Sequence, residues 1–248
     1  MKKSMRYWAI GIILAFIVLL LAVFTSAGRI HVRKSGQSAP SSGSAPGAVP
    51  ASLAEHVPGL ENRNLDNVSA EDNVNRYVSR QTEIMADMVQ AMEHIQETGN
   101  ASIDFLNAMA LHHEASVLMA EAYLSYGGSD ETLKSLAEQI VPARQEEIVQ
   151  MKKLSEKYGS EGHFDTDKEK AYLEDYSNLL DKNRKAESPD NSSLDHAFAD
   201  GMRNQHQMAA EMARSILDYT DYEEIRTLAQ GILSVQEQEI SRMGDFLQ

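Results

Sequence analysis

FLNAMALHHEASVLMA, residues 105–120, aligns without a gap on FADGMRNQHQMAAEMA, residues 198–213. Phe105/Phe198, Met109/Met202, His113/His206, Met119/Met212 and Ala120/Ala213 are identical pairs. The segments that follow align once the intervening loop loses one residue. Leu136, Ala137, Ile140, Glu147, Ile148 and Met151 then meet Leu228, Ala229, Ile232, Glu239, Ile240 and Met243. Alanine and isoleucine recur in any helical core. A histidine and three methionines held in register are harder to obtain by chance, so we read an internal duplication.

Around this repeat the apolar period is helical and alternating β-branched runs are missing, which predicts an all-α chain. Ser69 with Asp72 resembles a capping box, opening a helix to about Glu97 that Gly99-Asn100 ends. A second helix is expected over Ser102–Tyr126, stopped by Gly127-Gly128, and a third from Ser129 to Tyr158-Gly159. Pro142 should kink or split the third, because proline removes a backbone bond and crowds the preceding turn. Asp165 caps a fourth helix to about Ala186. Leu194–Tyr219 and Tyr222–Phe246 complete the order. The expected body is two tandem three-helix repeats, residues 68–159 and 164–248.

Upstream, Trp8–Phe24 is an unbroken run of apolar and small residues behind Lys2, Lys3 and Arg6. Its length suits a membrane-spanning helix of about 17–25 residues better than a signal core of about 7–15. Thr25-Ser26-Ala27 also matches the small-residue cleavage pattern poorly. Residues 1–34 are therefore expected to be an uncleaved single-pass anchor, the alternative being a signal whose removal leaves a secreted or periplasmic protein. Residues 35–67 begin with a Ser/Ala/Gly/Pro-rich stretch that cannot bury a core and reads as a flexible tether. Anchor, tether and a cysteine-free body fit a domain displayed outside the cytoplasm at the cell membrane.

The 248 residues carry 23 Lys+Arg against 37 Asp+Glu, a formal charge of −14. Residues 1–34 hold six of the basic groups and no acid, so the remainder carries 17 basic and 37 acidic groups, net −20. Such a body repels phosphate backbones and excludes sequence-independent nucleic-acid binding. The absence of cysteine excludes disulfides, thiolate zinc sites, iron–sulfur clusters and a cysteine nucleophile.

On a helical wheel Met109, His112, His113 and Met119 fall within an arc of about 120°. Met85, Met88 and Met92 share an arc of about 60° on the first helix. In the second repeat Met202, His206 and Met212 recur, with Gln205 in place of the first His. Met151 and Met243 each follow a glutamate by one turn, Glu147 and Glu239, which we read as solvated or paired surface charges. Thioether sulfur is soft and favours Cu(I), and imidazole binds either copper oxidation state, zinc or nickel. A methionine stripe is also what ordinary core packing produces, because Met fills irregular gaps. Two readings therefore stay open, a metal-binding face and a structural or interaction module with Met-rich core faces. Oxidant scavenging by Met85, Met88 and Met92 is a third, and requires them to be exposed.

Met109-x2-His112-His113-x5-Met119-Ala120, followed by Gln145-Glu146-Glu147-Ile148-x2-Met151, resembles the family catalogued as domain of unknown function 305. The resemblance implies a ferritin-like helical bundle. Some members are extracytoplasmic copper-binding proteins with Met and His ligands, which implies a copper ion as ligand here. The residues it nominates are Met109, His112, His113, Met119 and Met151, with Met85, Met88 and Met92 on the preceding helix. Met202, His206, Met212 and Met243 are their counterparts in a weaker second repeat. It also leaves a second copy of the chain or a copper-handling protein as partner, beside the membrane.

No enzyme is expected. A carboxylate di-iron centre needs Glu-x-x-His, and no Glu lies three residues before any of the eight His. His-Glu-x-x-His, phosphate-binding glycine loops and a Gly-x-Ser-x-Gly elbow are missing as well.

Overall fold

The computed structural model describes residues 70–184 and 190–248. Their regular structure is entirely helical: α1 (Ala70–Glu93), α2 (Ala101–Ser125), α3 (Glu131–Glu161), α4 (Thr166–Arg184), α5 (Leu194–Ile216) and α6 (Glu223–Phe246). The anticipated anchor, the tether and the Ser69 cap lie outside the described residues. Among the described helices none is long and apolar enough to cross a membrane.

Local chemistry sets the ends. The α1 helix stops four residues before the expected Glu97. His94 Nδ1 lies 2.7 Å from the Gln90 carbonyl and His94 N donates to Ala91 O, which closes the last turn at Glu93. Asn100 caps α2, its side chain accepting from Ser102 N at 2.9 Å. Asp130 caps α3 through Thr132 N and Leu133 N, and Ser193 caps α5 through His196 N. The third helix passes Gly159 and ends at Gly162, whose left-handed φ of +64° suits a residue without Cβ. Pro142 does not split α3, which is continuous through it. The exposed prolyl ring lies on the solvent side, where the carbonyl it leaves unbonded is within reach of water.

Twenty of the 25 residues of α2 are buried, so it is covered on every side. It packs with α1, α4 and α5, and these four helices contact one another in every pairing. The α3 helix lies along α2, and α6 along α5. Helix order and packing thus repeat: α1, α2, α3 and then α4, α5, α6. Close approach is helped by Gly201 on α5, where an added Cβ would stand 1.5 Å from Gln81 Nε2 on α1. Cross-repeat contacts pin both ends of α2. Tyr123 stacks on Phe198 with centroids 4.1 Å apart and donates to Asp195, which also accepts from Ser129. At the other end Ser102 Oγ donates to Thr220 at 2.8 Å.

Near that second end is a buried carboxyl pair. Asp104 is wholly buried and accepts from the backbone N and hydroxyl of Thr98 at 3.1 and 2.7 Å. Its other oxygen meets no donor, and Glu169 from the first turn of α4 is its carboxyl neighbour. Burial pushes Asp104 up to about 8, with the adjoining Glu169 adding to the shift, so this group holds its proton at neutral pH.

Candidate functional site

His112 and His113 lie at the middle of α2, and His206 at the middle of α5; all three are fully buried. The two central helices face each other here, and Gln205 is the joint between them. Its amide nitrogen lies 3.0 Å from His112 Nδ1, 2.9 Å from His112 O and 2.5 Å from Ser116 Oγ. The Gln205 main-chain oxygen lies 3.0 Å from His112 Nε2, and its side-chain oxygen lies 2.9 Å from His206 Nδ1. The glutamine that replaces the expected histidine is therefore fitted to its counterpart, His112.

On the outer side of the same histidines is a chain of charges. His113 Nε2 lies 2.9 Å from Glu147 on α3, and His206 Nε2 lies 2.9 Å from Glu239 on α6. Between the two carboxylates stands Arg144, wholly buried. Its Nη1 donates to Glu147 at 2.9 Å and its Nη2 donates to Glu239. The order His113–Glu147–Arg144–Glu239–His206 is symmetric about the guanidinium. Of the solvated or paired surface charges expected from sequence, Glu147 and Glu239 are paired but not at the surface; their side chains are only 20% and 11% exposed. Helix–helix packing closes over them, and the single buried cation makes that tolerable.

Burial lowers the pKa of all three histidines. The neighbouring imidazoles push His112 further down, while Glu147 and Glu239 only partly restore His113 and His206. Neutral imidazoles result, the form that coordinates a metal. Burial alone would raise Glu147, but the His113 contact and the Arg144 charge outweigh it and bring the carboxyl to about 2. Glu239 is lowered in the same way, burial again being overcome by Arg144 and His206.

At 2.9 Å each Nε2 is within hydrogen-bond reach of its carboxylate, although neither contact is well aligned. His113 Nδ1 meets no polar partner, although the residue is fully enclosed. Enclosed, unbonded imidazole nitrogen is unusual and asks for an occupant. The His112 and His113 rings lie 6.0 Å apart, centroid to centroid.

The methionines nominated by sequence are core residues. Met88, Met92, Met109, Met119, Met151, Met202, Met212 and Met243 are inaccessible, while Met85 is half-buried at the rim. Burial of Met88 and Met92 removes oxidant scavenging by that stripe. Met109, Met151, Met202 and Met243 each stand one helical turn from His113, Glu147, His206 and Glu239, respectively. His94, outside the nominated set, is exposed just past the end of α1. Among the described residues no three His, Asp or Glu side chains are placed to hold a metal ion.

The family profile described as "Domain of unknown function (DUF305)" matches residues 48–155 and 165–247. The chain belongs to the DUF305 family. No curated protein and no solved structure matches it. The DUF305 assignment agrees with the all-helical bundle and leaves its chemistry to be argued from the site.

Arg144 and Gln236 are the residues sequence reasoning missed. Both were detectable. Arg144 continues the buried register Leu136, Ile140, Ile148, Met151 of α3, and Gln236 continues Leu228, Ile232, Met243 of α6. A charged or amide group in a core register is a signal that periodicity carries.

Proposed function

We propose that this DUF305 protein is a membrane-anchored, extracytoplasmic binder of a soft metal ion, with copper the best chemical fit. It would sequester the ion or pass it to a partner. The observation that carries the reading is His113. Its imidazole is neutral and fully buried, with Nε2 against Glu147 and Nδ1 without a polar partner, one turn from Met109 and beside His112. Neutral imidazole and thioether together suit Cu(I), and neither must lose a proton to bind it. Met109, Met119 and Met151, with Met202, Met212 and Met243 from the second repeat, would supply the sulfur ligands. Met88 and Met92 would add to them from α1, with Met85 at the rim. Residues 1–34 would hold the domain at the membrane, with residues 35–67 as its tether.

A specific observation favours a second reading, a structural or interaction module. The Glu147–Arg144–Glu239 bridge already joins the two repeats, and polar cross-links of this kind fix one packing arrangement without any ion.

Titration of the purified full-length chain with Cu(I) under reducing conditions separates the two. The wild type should bind, and at 100 times the dissociation constant copper should stabilise it by about 2.7 kcal/mol. His113→Gln should weaken binding by tenfold or more while helical content is retained. Equal affinity in the two proteins would remove His113 from the site, and no binding by the wild type would leave the structural module.

A further inference from the structure

Arg144 is the centre of a row drawn from four helices: Glu147 on α3 and Glu239 on α6 accept from its guanidinium, and His113 on α2 and His206 on α5 stand against those carboxylates. Two imidazoles and two carboxylates are a common zinc-type ligand set. In each half the imidazole nitrogen and carboxylate oxygen are 2.9 Å apart. Donors around a tetrahedral zinc at about 2.0–2.1 Å lie roughly 3.3 Å from one another, so each pair already has nearly the spacing of two ligands on one ion. The pairs do not close into one group because a planar cation stands between them. One arm of its fork takes Glu147 and the other takes Glu239.

We infer that Arg144 holds apart His113, Glu147, His206 and Glu239, four side chains that would close into a divalent-cation site in its absence, and that it thereby keeps divalent ions out of the core. The guanidinium supplies the positive charge that the two carboxylates require. A divalent ion added beside it would meet a like charge in a region of weak screening. It would also find both carboxylates engaged. The selectivity is thus electrostatic: hard and borderline divalent ions are refused, whereas thioethers elsewhere in the core are untouched by the arginine. The repeat supplies the natural comparison. Gln236 occupies on α6 the position that Arg144 occupies on α3, and it is fully buried with neither end of its amide bonded. A glutamine at this register is therefore compatible with the packing. This inference shares His113 with the copper reading but concerns its Nε2 side and a different class of ion.

The test is Arg144→Gln in the full-length protein, probed with Co(II) for its visible absorption and with Zn(II) for thermal stability. The wild type and Arg144→Lys, which retains a cation, should give neither a protein-bound Co(II) band nor a zinc-dependent shift. Arg144→Gln should give both, with a rise of roughly 5–10 °C at 100 times the dissociation constant of zinc. Adding Glu239→Gln to that variant should abolish both signals. Loss of a buried cation leaves two carboxylates facing each other, so Arg144→Gln is expected to be less stable without metal. If it does not fold, refolding in Zn(II) should recover native helical content, and failure to recover overturns the inference. So does an Arg144→Gln protein that folds and ignores both ions, or a wild type that binds them equally well. A failed Cu(I) titration of the wild type changes none of these outcomes.

Discussion

Asp104 shows how one buried group makes stability depend on pH. Its pKa lies at about 8 in the folded chain and near the ordinary carboxylate value once unfolded. The sign follows from which state holds the proton. Below about 4 both states are protonated and the full contribution is present. As pH rises the unfolded chain ionises and is favoured, and the loss accumulates until the folded group ionises at about 8. The amide oxygen of asparagine can accept from Thr98 as Asp104 Oδ1 does, so Asp104→Asn preserves the Thr98 contacts and removes the titration. Thermal melts of both proteins between pH 4 and pH 8 should show the variant gaining on the wild type as pH increases. A constant difference across that window would mean that Asp104 does not keep its proton.

Helices other than α2 were legible because each buries a stripe whose 3.6-residue period survives in the sequence, and because Gly99-Asn100 and Ser129-Asp130 mark ends by local chemistry. Gly159 offered the same signal, but the left-handed turn falls at Gly162. The His94 contact that shortens α1 is equally local, but nothing in spacing distinguishes it from an exposed histidine. What spacing could not supply was the partner of each polar side chain. Glu147 and Arg144 lie one turn apart on α3, which reads as an ordinary surface ion pair. Their burial depends on Glu239, 95 residues after Arg144. Pro142 is the reverse case, a strong local signal overruled by packing on both sides of it. The buried residues Leu136, Ala137 and Ile140 precede it, and Ile148 and Met151 follow it. Continuity through proline forfeits a hydrogen bond, and that cost should be recoverable. Pro142→Ala should raise stability by roughly 1–3 kcal/mol, less than the full penalty because alanine also frees the unfolded chain. Chemical denaturation would show it as a higher midpoint with unchanged slope. A lower midpoint would indicate that the ring's contacts outweigh the missing bond.

Charge is distributed along the chain in a way that the bundle alone does not explain. A body of net −20 follows a segment holding six basic groups, no acid and a long apolar run. The acidic face would concentrate cations around the domain, and a metal binder profits from that most when the tether holds it near the surface across which ions pass. The same acidity works against selectivity, because it attracts every cation present. On the proposed reading, discrimination would then reside in the core, where thioethers would favour soft ions and Arg144 would oppose divalent ones. Localisation is testable apart from metal. After alkaline carbonate extraction the full-length chain should remain with the membrane, and a chain lacking residues 1–34 should be recovered in the soluble fraction. Protease added to intact cells or spheroplasts should degrade the bundle if it faces outward. A soluble product shortened at its N-terminus would instead identify residues 1–34 as a cleaved leader. The copper chemistry would survive that outcome, but the domain would then handle its ion as a free carrier rather than at a fixed surface.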